Sequence, residues 1–296
     1  MFEHGNAEEA APARVVLLGG GGFVGRTLAP LLDAAGTPHL SLSSADIDLS
    51  ADGAGDALAD ILKPDDAVVM LAALTPDRGR GVDAFMRNVA MTANLARAVE
   101  KTAPAHLVYF SSDAVYPLGA GAVTEESCSA ADDLYGTMHV AREAMLTAGC
   151  PCPLAVLRPA LIYGAADTHN SYGPNRLRRM ARDEGRITLF GDGEETRDHI
   201  LVDDVAALTV RVLTRRCAGI LNLATGKSVS FADLARLVAD RFDGDIAVEG
   251  TPRQNPITHR NFDITALIRA FPDFTFTPLA EGIAKAHRDM VENGLD

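Results

Sequence analysis

No apolar run in this 296-residue chain approaches the ~18 residues that a membrane-crossing helix needs. The first thirteen residues, MFEHGNAEEAAPA, are acidic and lack the charged-then-apolar order of an export signal. They read as a loose leader, and the default compartment for such a chain is the cytoplasm. Basic residues are also scarce: 27 Lys and Arg stand against 40 Asp and Glu, a net charge of −13. That excludes a nucleic-acid or anionic-membrane surface, since both need clustered cations. An anionic small molecule remains open, because a few local Arg side chains suffice for one phosphate. There are four cysteines, Cys128, Cys150, Cys152 and Cys217. The Cys150-Pro151-Cys152 pair is too short and isolated for a zinc site, and His106, His169 and His199 show no metal spacing with an acid or Cys partner. The expectation is therefore reduced thiols and no metal.

Apolar residues, by contrast, make up 47% of the chain, enough for a sizeable core. Strand and helix patterns alternate through the first half. Arg14–Leu18, His39–Ser43, Ala67–Leu71, His106–Phe110 and Leu154–Leu157 read as strands. Val24–Ala35, Asp83–Lys101 and Leu134–Leu146 read as helices. Continuous apolar strands separated by amphipathic helices imply a parallel sheet covered on both faces, wound in both directions. The fold class expected is α/β, a doubly wound parallel sheet with a smaller interleaved lobe.

After Arg158 the rhythm breaks. Gly164–Pro174 reads as a long polar loop, Asn175–Asp183 as a basic helix and Ile187–Phe190 as a short strand. Asp203–Thr214 and Phe231–Phe242 look helical, Ile220–Leu223 is a further strand, and the tail carries more turns. The division expected is a leader over 1–13 and a nucleotide-binding domain over 14–163, to which 200–224 return. A substrate-binding lobe takes 164–199 and 225–296.

Between the first strand and the first helix lies Gly19-Gly20-Gly21-Gly22-Phe23-Val24-Gly25. It satisfies both the G-x-G-x-x-G and the G-x-x-G-x-x-G registers. Glycines let the backbone turn sharply and approach a pyrophosphate, whose charge then meets a helix N-terminus. Strand, turn and helix stand in the required order, so the segment reads as a dinucleotide site, with Gly19, Gly22, Phe23, Val24 and Gly25 as contacts. Roughly 20 residues on, where an acid would bind the ribose of NAD, stands Ser43 followed by Ser44. Asp46 and Asp48 come slightly late, and Asp48 and Leu49 are placed at the adenine. NAD and NADP both stay open. Ala72 and Ala73, at the end of the third strand, complete this wall.

The fourth strand runs into Ser111-Ser112-Asp113-Ala114-Val115-Tyr116, and Tyr135-Gly136-Thr137-Met138-His139 opens a later helix. With Arg158-Pro159, Gly191-Asp192-Gly193 and Arg197-Asp198, this order resembles the extended short-chain dehydrogenase/reductases, particularly the NAD-dependent epimerase/dehydratase group that acts on nucleotide-linked sugars. The resemblance runs from Arg14 to about Phe242. It implies an enzyme that moves a hydride between a sugar carbon and a nicotinamide. It implies Tyr135 as acid/base, Ser112 on the substrate oxygen, and Asp113 beside them. It places Asn88, Tyr135, His139 and Pro159 against the cofactor, and Tyr163, Arg176 and Arg197 toward the substrate.

Three departures from the pattern carry information. The family has a Lys four residues after the Tyr, where a positive charge lowers the phenol's pKa. Here the residue is His139, which can replace the Lys with an altered pH profile, leave the charge to another cation, or mark a site that binds without turning over. The 4,6-dehydratases carry an Asp-Glu pair after the hydroxyl residue; Ala114 in the second position points instead to epimerases and 4-ketoreductases. An Asn that touches the sugar diphosphate is replaced by Leu161, which favours a reductase of a non-sugar carbonyl. Arg197 favours the sugar nucleotide, although an ion pair with Glu194 or Glu195 would also account for it. The Arg of Asn175–Arg179 either line the entry of an anionic substrate or form a solvated helix face, and Tyr172–Asn175 would act as a lid. The helices at Asp83–Lys101 and Leu134–Leu146 are where members of this family dimerise, so a homodimer is expected. A non-catalytic dinucleotide-binding regulator or structural subunit is the rival outside enzymology.

Overall fold

The structure is a computed structural model, which describes residues 1–119, 121–167 and 173–294. Six parallel strands form the centre: β1 (Arg14–Leu18), β2 (His39–Leu42), β3 (Asp66–Met70), β4 (His106–Phe110), β5 (Leu154–Pro159) and β6 (Gly219–Leu223). Their spatial order is β6-β5-β4-β3-β1-β2, all parallel. The order reverses between β1 and β3. In an open parallel sheet that point leaves a crevice at the carboxyl ends of the strands.

The alternation of side chains along the strands divides the core in two. Val15 and Leu17 face α1 (Phe23–Ala34) and α6 (Val202–Thr214), packing with Leu28, Leu32, Leu208 and Val212. Val16 and Leu18 face the opposite layer of α2 (Ala54–Ile61), α3 (Val82–Thr102) and α4 (Leu134–Gly149), packing with Leu58, Leu95, Val99 and Leu146. Both faces are therefore dry, which is why these strands read as unbroken apolar runs. Arg14 and the buried Asp66 tie the start of β1 to that of β3 through two hydrogen bonds of 2.7 and 2.6 Å.

A separate core gathers farther along the chain. Leu177 and Ala181 of α5 (Pro174–Glu184), Ile187 and Leu189, Leu234 and Val238 of α7 (Phe231–Ala239) and Ile283 of α9 (Leu279–Glu292) pack together. Here Arg186–Phe190 pairs in parallel with Ala247–Thr251. The chain enters this layer after β5, returns to the main sheet for α6 and β6, and leaves again for α7.

The leader is not loose. Glu3 forms an antiparallel bridge with Ala218, and the Asn6 side chain and Ala10 N–H both donate to the Thr214 carbonyl. Phe2 and His4 lay their rings against Phe271. The acidic composition hid an aromatic anchor and a backbone that pairs beside the edge strand. The tail, expected as turns, contains α8 (Thr265–Ala270) and α9. The helix expected to reach Phe242 ends at Ala239. Residues 168–172, in the middle of the expected polar loop, lie outside the described residues, and with them His169 and the Tyr172 assigned to a lid.

Candidate active site

A cleft of about 1080 Å³ opens at the point where the strand order reverses. One wall is the turn after β1. Gly19 sits at φ +87°, and a Cβ there would lie 2.8 Å from the Ala72 nitrogen at the end of β3. Only glycine allows that approach. Gly22 is the N-cap of α1, and no side chain caps this terminus. The first-turn amides of Phe23, Val24 and Gly25 thus meet the cleft at the positive end of the helix. Gly19, Gly22 and Gly25 are spaced as the G-x-x-G-x-x-G register requires. The arrangement fits a pyrophosphate.

At the end of β2, Asp46 folds back on Ser43 and accepts from both its N–H (2.8 Å) and its hydroxyl (2.7 Å). These bonds hold its carboxyl below the usual carboxylate range. The acid that looked late in sequence is thereby returned to the strand end. Asp48 accepts from the N–H and hydroxyl of Ser50, and Leu49 is buried beneath while still lining the cleft. Ala72 and Ala73 line it too. Asn88 differs from expectation: its buried amide is committed to the Leu74 N–H and to the Leu74 and Ala84 carbonyls. It braces the loop after β3 from behind, because an amide in the second turn of α3 reaches that loop's backbone first.

The opposite wall is built by β4 and α4. Beyond β4, Ser112 caps a 3-10 turn over Asp113–Val115, its hydroxyl accepting from the Ala114 N–H at 3.1 Å. Asp133 caps α4 by accepting from the Gly136 N–H at 2.8 Å. A Cβ on Gly136 would fall 2.0 Å from the Ala114 carbonyl. The glycine lets α4 dock directly on the 3-10 turn, which brings Tyr135 to the Ser112 side of the cleft. Ser112, Asp113, Tyr135, His139 and Pro159 all line it.

His139 is 1% exposed, with its ring 4.8 Å from that of Tyr135 and nearly perpendicular. Its Nδ1 lies 2.6 Å from the Tyr109 hydroxyl, and its Nε2 has no partner among the described residues. Burial, and then the charge of Arg142, push its pKa well below the ordinary imidazole value. The imidazole is neutral and does not supply the family's missing cation. The nearby positive charge is Arg142 itself, fully buried, donating to Thr92 Oγ1 (2.5 Å) and the Ala72 carbonyl (2.9 Å) and lying 5.0 Å over the Tyr109 ring. The adjacent Glu143 is held by Arg158 and by the Ser111 hydroxyl.

Burial raises the Asp113 carboxyl above its usual value, against the opposing charges of Arg260 and Arg197. Arg260 is buried, donates to the Asp113 and Tyr116 carbonyls, and stands 3.7 Å from the Asp113 carboxylate. At the far end Tyr163 lines the cleft from a buried position against Gly282. Arg176 and Arg197 are not among the described residues that line the cleft. Arg197 donates to the Thr196 and Thr258 carbonyls and to Thr258 Oγ1. Glu194 and Glu195 pair with Arg253, and the charge of Arg197 also acts on Glu195. Within α5, Arg178 turns inward to His287 and Arg179 donates to the Asp167 carbonyl. Among the described residues the cations that line the cleft are Arg26, Arg78, Arg80 and Arg87, with Leu161 at the substrate end. Sequence reading missed Tyr109, Arg142 and Arg260; Tyr109 alone carries a signal, as a polar hydroxyl within an apolar strand, while Arg142 and Arg260 stand beside other polar residues and show none. Among the described residues no cluster could hold a metal, and no helix is long and apolar enough to cross a membrane.

The family model for the NAD dependent epimerase/dehydratase family matches residues 15–224. A dTDP-L-rhamnose 4-epimerase from Burkholderia thailandensis is 26% identical, over 88% of this chain and 90% of that protein. A dTDP-4-dehydrorhamnose reductase from Mycolicibacterium smegmatis is 28% identical, over 78% and 70%. The structure of UDP-glucose 4-epimerase from Thermus thermophilus in complex with NAD superposes with a TM-score of 0.78, at 19% identity, covering 92% of this chain and 97% of that one. It shares the fold.

Proposed function

The chain belongs to the NAD dependent epimerase/dehydratase family, and we propose that it interconverts a hydroxyl and a keto group on a nucleotide-linked sugar, as an epimerase or a 4-ketoreductase. It is an enzyme of the extended short-chain dehydrogenase type. The observation that carries the finer reading is the convergence of Ser112, Asp113, Tyr135 and His139 on one wall of a cleft whose other wall is the glycine turn. A bound nicotinamide supplies the hydride acceptor and donor. The chain's residues do the rest.

The Ser112 hydroxyl holds the substrate oxygen, and Tyr135 exchanges a proton with that oxygen as the carbon changes oxidation state. Asp113, whose carboxyl is raised by burial, stands beside Ser112 with Ala114 rather than an acid at the next position of the turn. The absence of that second acid from this turn supports the epimerase and ketoreductase chemistry over water elimination. Arg26 and Arg87 border the dinucleotide end of the cleft, where guanidinium groups suit phosphate oxygens. The two relatives, one named an epimerase and one a reductase of a dTDP-linked deoxysugar, agree with this substrate class.

The deciding experiment is to denature the purified protein and identify any nucleotide it releases. Tightly held NAD supports an epimerase that recycles its own hydride. An empty site that binds NADPH on titration supports a ketoreductase, to be assayed on 4-keto nucleotide sugars. Binding of neither overturns the reading. Leu161 on the substrate wall favours a second reading, reduction of a non-sugar carbonyl, which gains support if no nucleotide sugar protects the enzyme from proteolysis.

A further inference from the structure

The run Cys150-Pro151-Cys152-Pro153 joins the end of α4 to the start of β5, away from the residues that line the cleft. Its spacing, too short for a zinc site, suits a different reaction. Each cysteine precedes a proline, which disfavours the helical conformation and pushes that residue toward an extended one. Cys150, the C-cap of α4, is extended, at φ −82° and ψ 118°. On an extended backbone, side chains two residues apart leave on the same side. The two sulfurs accordingly stand 3.3 Å apart, and Cys150 Sγ also lies 3.4 Å from the Cys152 carbonyl oxygen. A disulfide bond needs about 2 Å, so a short approach closes it.

Both ends of the run are held. The Cys150 N–H donates to the Leu146 carbonyl at 2.9 Å, and the Pro153 carbonyl accepts from the Leu107 N–H at 3.0 Å. Between these anchors Pro151 has a fixed φ, which leaves the backbone little freedom to draw the thiols apart. Each thiol packs on the core layer of Leu146 and Leu107 and is only half-buried, with Gly149 and Pro151 exposed beside them. A small molecule can therefore reach the sulfurs from solvent. The pair is also asymmetric. The hydrogen bond from Cys152 holds the Cys150 thiol down at about 7, against burial. The same bond, and then burial, push the Cys152 thiol up, against the charge of Arg216. Thiolate is the attacking form in thiol–disulfide exchange, and an attacking thiol works best with a pKa near the ambient pH. Of the other two cysteines, Cys217 is buried, which pushes its thiol up to about 12, and Cys128 is exposed on the loop before α4.

We propose that Cys150 and Cys152 are a redox-active dithiol, a second reactive site that closes to an intrachain disulfide by exchange with a small-molecule disulfide of the glutathione class. The Cys150 thiolate attacks one sulfur of that molecule. The S–S bond breaks, and one thiolate leaves and takes up a proton. Cys152 then gives up its own proton and attacks Cys150 Sγ, expelling the second small thiol. The two cysteines lose two electrons and two protons, and the small disulfide becomes two thiols. The site stands at the opposite end of α4 from Tyr135 and does not depend on the dinucleotide reading of the cleft.

The test incubates the full chain in glutathione buffers of graded oxidised-to-reduced ratio, quenches with acid, alkylates the remaining thiols and measures the masses of the intact chain and its peptides. The expected result is the loss of two alkylatable thiols as the ratio rises, one peptide holding the Cys150–Cys152 bond, and full return on adding dithiothreitol. Cys152→Ser, whose hydroxyl keeps a hydrogen-bond donor beside Cys150, should trap one glutathione on Cys150. Cys150→Ser should take up glutathione at Cys152 at least about tenfold more slowly. Four free thiols at every ratio, or a disulfide made by Cys128 while the pair stays unlinked, overturns the proposal. Equal rates in the two variants overturn it as well, by removing the asymmetry on which the exchange rests. Where a variant folds poorly, the wild-type masses still decide.

Discussion

Tyr135 stands where one hydroxyl separates an enzyme from a binder. Removing it by Tyr135→Phe leaves ring packing against His139 intact while deleting the proton carrier. The expected outcome is a fall in kcat on the order of 10²- to 10⁴-fold with dinucleotide affinity unchanged, read by steady-state assay beside a binding titration. Similar losses in both would assign the tyrosine to cofactor packing. At this scale the site was only partly legible. Ser112, Tyr135 and His139 belong to short local strings whose chemistry can be read in order. Arg260 cannot be read that way, because its hydrogen-bond partners lie 144 and 147 residues away. Arg142 falls inside a legible helix, yet nothing local distinguishes a buried guanidinium from a solvated one. Asn88 shows the reverse error. Its residue type suggested a ligand contact, and the closer backbone of Leu74 took its amide.

Among the elements, α4 does the most to assemble the site, and it does so through the contact of Gly136 with the 3-10 turn. Gly136→Ala places a methyl against the Ala114 carbonyl, which neither backbone can accommodate without a shift. The helix start, with Tyr135, is expected to move away from Ser112 while the glycine turn after β1 stays put. Activity should then fall at least tenfold, since misplacement by about 1 Å costs on that order or more. Dinucleotide affinity and far-ultraviolet circular dichroism should change little. Full activity in this variant would mean that Ser112 and Tyr135 need no fixed spacing. Elements of this kind were legible where burial on both faces gave unbroken apolar runs, as in β1, β3 and β4. They were not where patterning is weak. The stretch leading into α2 is small and acidic, Ala247–Thr251 is largely exposed, and Leu161–Tyr163 pairs with His199–Leu201 over three residues each. Helical tracts α8 and α9 were hidden among turn-forming residues.

For the molecule as a whole, three buried histidines set a response to acid. His106 is lowered to about 4 and His199 to about 3, both chiefly by burial, and His139 is lowered well below its ordinary value. Each native ring stays neutral where the unfolded chain, with a value near 6.5, already binds a proton. The unfolded state therefore gains protons first, and stability falls as pH drops below about 6.5, by up to ~1.4 kcal/mol per pH unit for each ring. The loss continues to about pH 4 for His106 and 3 for His199. Burial raises Asp113, Asp198 and Asp204, which opposes this trend near the bottom of the range, because the native state takes up those protons first. Calorimetric Tm should be level from pH 8 to 7 and fall progressively from 6.5 to 4.5. A Tm unchanged across that interval would mean that these rings are open to water.

The route of the chain between the two cores also bears on how such a protein changes over generations. Because α6 and β6 return to the main sheet between α5 and α7, the layer holding the far end of the cleft is encoded in two separated stretches of gene. A single recombination event with a relative would join one half of that layer to a foreign other half, and the packed face of Leu177, Ile187, Leu234 and Val238 would have to match by chance. New specificity is reached more readily by point changes along the cleft, at positions such as Leu161, than by wholesale exchange. A designer wishing to transplant the layer needs two inserts, cut where the chain crosses.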